Sequence, residues 1–170
     1  MELAETVNKE LDTPLDVILS YSNLTLQNTT LDAAVPAFKA AGVKQILTAS
    51  PLSMGLLRAE GPHPWHPASQ TLKDAVVKAS HYVESQGDTL ADTAMRFVFA
   101  RWNGTVVGGW SSVKELEDAV RMWHRVRGGE DAARDRVLFK EARMAMGMEV
   151  NMMWDSPPKG WKFKDGTVKE

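Results

Sequence analysis

"LDVILSYSNLTLQNTTLDAAVPAFKAAGVKQILTA", residues 15–49, is the stretch on which the fold turns. It opens with "LDVILSY" (15–21), a nearly continuous apolar run of strand length, as in a strand covered on both faces. "TTLDAAVPAFKAAGV" then shifts to helical spacing, from about Thr30 or Leu31 to Ala41, and Gly42 stands where helices commonly stop. Pro36 falls inside that helix and removes a backbone donor, which sets its first turns at odds with a regular helix. "VKQILTA" (43–49) is a second strand. Strand, helix, glycine and strand within about 30 residues form a βαβ unit, with a right-handed crossover expected.

Outward from this unit, residues 2–11 space Leu3, Val7 and Leu11 four apart, a short amphipathic helix that stops before Pro14. Downstream, "RAEGPHPWHPAS" (58–69) is a proline-rich loop. Two helices follow, at about 70–85, closed by Gly87, and at about 89–101, capped by Thr89 or Asp88. Leu90, Ala94, Phe97 and Val98 form the buried stripe of the second. "GTVVGGW" (104–110) is a short third strand ending in a glycine pair. "SSVKELEDAVRMWHRV" reads as a helix with Ser111 or Ser112 as its N-cap and Glu115 or Glu117 in its first turns. A charged helix at about 130–147 and a polar tail from Asp155 close the chain. The pattern is α/β with three strands, and no internal repeat interrupts it.

Of the 170 residues, 44% are apolar, enough to fill a core. The net charge of −2 and a pI near 6.1 argue against a nucleic-acid footprint. Cysteine is absent, which excludes a disulfide framework, Cys-ligated zinc and a thiol nucleophile, and which fits a reducing compartment. "MELAETVNKELDTP" has neither the basic start nor the apolar stretch of a signal peptide, and no apolar run is long enough to span a membrane. The Asn-x-Thr sequons at Asn23, Asn28 and Asn103 are read as chance. A soluble, cytoplasmic chain is expected.

"HPWH" (63–66) holds two histidines without a nearby third ligand, so a loop decoration is expected in place of a metal site. His81 and His124 fall on polar helix faces. Glu115, Glu117 and Asp118 are acidic residues at a helix start, where the dipole accounts for them before any acid–base role does. The methionines of "ARMAMGMEVNMMW" (142–154) are read as core filler. What remains are two strand ends. "ASPLSMG" follows one strand; "GGWSS" follows the next and opens a helix, with small residues, free N–H groups and a positive dipole end. On successive parallel strands they suggest a phosphate site.

"SPLSMGLL" with "EGPHPWHPAS", followed by "VVGGWSSVKELEDAV", is similar to the carboxyl half of the aldo/keto reductases, in particular to the D-arabinose and L-galactose dehydrogenase branch. The similarity covers about residues 10–125, and the W-H-P-A element after an S-P-L turn carries most of it. The resemblance implies the last three strands of a (β/α)8 TIM barrel in residues 1–150, a polar tail in 151–170, and an oxidoreductase using NAD on a sugar. It puts Ala49 beneath the nicotinamide, where many relatives carry an aromatic, and Ser50 and Leu52 along the pyrophosphate. It puts Gly109, Trp110 and Ser111 at the adenosine phosphate. Glu115 would stand where NADP-preferring relatives place an arginine, which favours NAD over NADP, and Asp118 in half of the family's Glu-Asn pair on adenine.

The family's Asp, Tyr, Lys and His come from the first four strands. The resemblance sets Met1 in the helix before the sixth strand, and neither Tyr21 nor Tyr82 matches a tetrad position. A complete barrel needs on the order of 250 residues. No catalytic residue is therefore assigned, and a non-catalytic nucleotide-binding remnant stands as the alternative to an enzyme. Open sheet edges point to self-association.

Overall fold

In a computed structural model, the chain is described over residues 2–155. The polar tail expected at the carboxyl terminus lies outside the described residues from 156 onward.

Helix α1 (Glu2–Leu11) leads into strand β1 (Val17–Tyr21), helix α2 (Thr30–Ala40) and strand β2 (Gln45–Ala49). A 3-10 turn (Ser53–Gly55) and the proline-rich loop precede α3 (Gln70–Ser85) and α4 (Leu90–Arg101). Strand β3 (Val106–Val107), α5 (Val113–Arg127) and α6 (Ala132–Met146) complete the order, with a last 3-10 turn at Gly147–Glu149. The three strands form one parallel sheet in the order β1-β2-β3. Val17 pairs with Gln45 and Tyr21 with Ala49, while Thr48 and Ala49 pair with Val106 and Val107. This is an open α/β sheet.

Local chemistry explains the elements. Ser69, Thr89 and Ser112 each accept a backbone N–H with the side chain and so start α3, α4 and α5. Gly42 ends the α2 connection at φ +82°, packed so tightly that a Cβ there would stand 2.7 Å from Pro14. Pro36 lies inside α2 without breaking it; the residue is exposed, so solvent is at hand for the missing bond.

The larger core joins α3, α4 and α6 around Leu72, Val76, Val83, Leu90, Val98 and Leu138. A second cluster seats α1 and α2 on the sheet through Ala4, Leu24, Leu31, Val43 and Ile46. Beside the first core, Arg96 of α4 bonds both Asp88 (2.7 Å) and Asp135 of α6 (3.0 Å), all three nearly buried. The segment after α6 is stitched to the loop after β1. The buried Gln27 amide donates to the carbonyls of Glu149 and Met152, both at 2.9 Å, and Arg143 donates to the Leu26 carbonyl at 2.7 Å.

Three expectations need correcting. β1 is not covered on both faces: Val17, Leu19 and Tyr21, alternate residues on one face, are about half exposed because no further strand or helix packs there among the described residues. β3 is only two residues long, because Gly108 and Gly109 end its pairing. The methionines near the carboxyl end are not all core filler. Met146 is buried, but Met144 lies on the exposed face of α6, and Met148, Met152 and Met153, beyond the positive φ (+59°) of Gly147, are exposed as well.

Candidate functional site

The carboxyl end of β2 runs into a turn of unusual backbone. Ser50, Ser53 and Met54 all take left-handed φ values, of 61°, 52° and 57°, and Gly55 takes 83°. Side chains without glycine's freedom adopt that region at a cost, so the surroundings must hold it. Several bonds do. The Ser50 N–H extends the ladder to the Val107 carbonyl (3.1 Å), and the Ser50 hydroxyl accepts from the Met54 N–H (2.8 Å). Ser53, fully buried, donates its hydroxyl to Thr25 at 2.9 Å. Its carbonyl accepts from His66 Nε2 at 3.0 Å.

The end of β3 makes the opposite wall. The Ser112 hydroxyl caps α5 by accepting from the Glu115 N–H (3.2 Å). In return, the Glu115 carboxylate accepts from the Ser111 N–H (2.8 Å) and hydroxyl (2.6 Å), a capping box shifted by one residue. Those bonds from Ser111 hold the Glu115 carboxyl below its ordinary value. The amide that the sequence offers to an anion is thus already filled by the chain's own carboxylate. One turn on, the Lys114 ammonium (2.6 Å) and Arg121 pair with Asp118 and depress its carboxyl too. A Cβ on Gly109 would meet nothing, so the backbone there is open to close approach.

Between these walls lies a groove of about 710 Å³, floored by Met95 and Met122. It brings together Ser50 and Leu52 on one side and Gly109, Trp110, Ser111, Glu115 and Asp118 on the other. Ala49 is not in it; its side chain is buried at the end of β2. Arg58 enters at one end, paired with Glu60 at 2.9 Å and packed on the ring of His63.

No role is expected of Arg58 from the sequence, and His66 is expected to be a loop decoration. His66 is buried: its Nδ1 accepts from the Ala68 N–H at 3.1 Å, so the proton sits on Nε2, facing the Ser53 carbonyl. Burial pushes its pKa below the ordinary histidine value. Its partner lies 13 residues away, so nothing local in "HPWH" signals the contact. Among the described residues, no group of three or more His, Asp or Glu side chains is placed to hold a metal, and no helix is long and apolar enough to cross a membrane.

Residues 1–134 match the sequence model of the aldo/keto reductase family. L-galactose dehydrogenase of Arabidopsis thaliana is 34% identical over 143 residues, 84% of this chain and 44% of that protein. D-arabinose 1-dehydrogenase of Saccharomyces cerevisiae is 32% identical over 150 residues, 86% of this chain and again 44% of the relative. The chain therefore spans less than half the length of these relatives, and its three parallel strands are those of a partial barrel. An open parallel sheet, a groove at the carboxyl ends of its strands and a match over most of the sequence agree: the chain belongs to the aldo/keto reductase family.

Proposed function

We propose that these 170 residues form the adenosine and pyrophosphate end of an NAD-dependent oxidoreductase acting on a sugar hydroxyl, in the cytoplasm. The observation that carries the reading is the groove between the Ser50–Gly55 turn and the start of α5. Its residues suit a dinucleotide in kind. The left-handed turn and Gly109 allow close approach of backbone to phosphate, and Arg58 supplies a cation beside it. At the other wall Glu115 and Asp118 are carboxylates, acceptors for ribose hydroxyls and repellent to a 2′-phosphate. That charge favours NAD over NADP. When bound, NAD would accept a hydride from the sugar carbon; these residues bind and orient it, and none is assigned as the proton carrier. D-arabinose and L-galactose, named for the two relatives, are the first substrates to test.

A second reading, a nucleotide-binding remnant without turnover, is favoured by the uncovered face of β1. Calorimetric titration of the 170-residue chain with NAD and NADP tests the site. NAD is expected to bind more tightly, and equal or reversed affinities, or no binding of either, overturn the proposal. Assays with both sugars separate the readings. Acid–base catalysis contributes about 10²–10⁴-fold, so without an assigned proton carrier no turnover above a protein-free control is expected. Turnover that survives repurification removes the remnant reading.

A further inference from the structure

Three non-glycine residues in left-handed backbone within five positions, at the wall of the groove, need an external brace. Two buried side chains reach the turn from separate loops. Thr25, in the loop after β1, accepts the Ser53 hydroxyl at 2.9 Å. His66, in the proline-rich loop, meets the Ser53 carbonyl at 3.0 Å and takes the Ala68 N–H at 3.1 Å on its other nitrogen. Both His66 and Thr25 are essentially inaccessible to solvent. The edge of the Trp154 indole closes over the imidazole, ring centroids 4.7 Å apart, and Trp65 stacks on it at 6.1 Å. The charged and titratable groups that act on it are His63, from its own loop, and Lys73 of α3, whose ammonium bonds the Pro64 carbonyl.

We propose that His66 is a positioning residue for the groove: its neutral ring, held by Ala68 on one nitrogen, clamps the Ser53 carbonyl with the other and fixes the left-handed turn that a groove ligand meets. Neither His66 nor Ser53 lines the groove; the ring acts through Ser53 on the turn whose Ser50, Leu52 and Gly55 do. The two nitrogens have separate tasks, and this sets the clamp apart from mere packing. Without the Nε2–H the buried Ser53 carbonyl keeps only the Leu56 N–H (3.0 Å), and the turn loses its side-chain brace from the proline-rich loop. Without the Nδ1 acceptor, the 66–68 turn loosens instead. The effect on a dinucleotide rests on the function proposed above; the effect on the turn does not.

The two side-chain amides divide the tasks. In His66→Gln the terminal NH2 occupies the place of Nε2 and reaches Ser53. In His66→Asn the shorter amide serves Ala68 and falls short of Ser53. Hydrogen exchange of the ligand-free chain reads the amides of Met54–Leu57, and titration with NAD reads the groove. In His66→Asn, exchange at those amides is expected to rise about tenfold and NAD affinity to fall about tenfold, the size of one lost buried hydrogen bond. His66→Gln restores both to near the wild-type values. Equal behaviour of the two variants, whether both silent or both impaired, overturns the clamp. A tenfold change in exchange with no NAD binding even in the wild type supports the clamp and sinks the dinucleotide reading. Should His66→Asn not fold, nitrogen NMR of the wild-type ring decides: a proton on Nε2 supports the proposal, and one on Nδ1 overturns it.

Discussion

Ser111 gives both its backbone N–H and its hydroxyl to the Glu115 carboxylate, at 2.8 and 2.6 Å, so the positive end of α5 is closed by a charge from its own first turn. A ligand phosphate would have to displace that carboxylate. Glu115→Arg should therefore reverse the local charge and shift binding toward NADP by about tenfold, the worth of a charge-assisted hydrogen bond. The same variant loses half of the capping box, so its melting temperature should drop. Paired titrations with the two dinucleotides check the first outcome and calorimetric melting the second. Because the Glu115 carboxyl is held below its ordinary value, its support for the helix is present above the unfolded carboxyl pKa and fades as pH falls through the folded one.

The Asp88 carboxylate, paired with Arg96, makes a second acid sensitivity. Burial pushes the Asp88 carboxyl up, but bonds from Arg96, the Thr89 N–H and Arg134 prevail, and the net value lies below the ordinary one. This stability is complete above the unfolded aspartate value and is lost as pH falls below it. Arg96→Ala leaves the nearly buried Asp135 carboxylate unpaired and Asp88 with only Arg134 and the Thr89 N–H, and should cost about 3–5 kcal/mol. In Arg96→Met, with both aspartates also made Asn, most of that loss should be recovered. Urea unfolding at neutral pH and near pH 4 measures each case; an Arg96→Ala loss below about 1 kcal/mol would contradict the assignment.

Gly42→Ala combines two faults. Its φ of +82° disfavours any side chain, and the new Cβ would lie 2.7 Å from the Pro14 ring. The loss should exceed about 1 kcal/mol, the usual gain from such a change reversed in sign and enlarged by the clash. Gly129→Ala is the control: it shares the left-handed φ, at +79°, but a Cβ there meets nothing, so it should lose less.

On the free edge of the sheet, Val17, Leu19 and Tyr21 are 50%, 51% and 54% exposed. Covering each would gain roughly 1 kcal/mol, and the unpaired strand edge offers hydrogen bonds as well. The chain is expected to self-associate at micromolar concentration through β1. Sedimentation velocity should show Leu19→Lys nearer to monomer than the wild type. A wild-type chain that sediments as a sharp monomer, with strong near-ultraviolet dichroism and cooperative melting, would refute this.

Much of the architecture was legible because its signals are local. Apolar runs marked β1 and β2, Gly42 marked the end of α2, and Ser69, Thr89 and Ser112 stand at helix starts where small polar residues belong. The groove was legible for the same reason: "ASPLSMG" and "GGWSS" each end a strand, and parallel neighbours bring such ends together. What escaped depends on contacts between distant segments. Nothing near His66 announces that its partner is the Ser53 carbonyl. Ala49 was assigned from the resemblance alone; it is buried at the end of β2, paired with Tyr21.

The bonds from Gln27 to Glu149 and Met152 join residues 122 and 125 positions apart. On a ribosome adding about 5–20 residues per second, the Gln27 amide therefore waits roughly 6–25 seconds for its acceptors to be made. Through that interval Leu24 and Leu26, on the same loop, have left the exit tunnel while the segment that will pin them has not been translated. The loop after β1 thus acquires its final bonds only after α6 and the turn beyond it have been made. Chaperones that bind exposed leucines would find Leu24 and Leu26 there until the segment after α6 arrives.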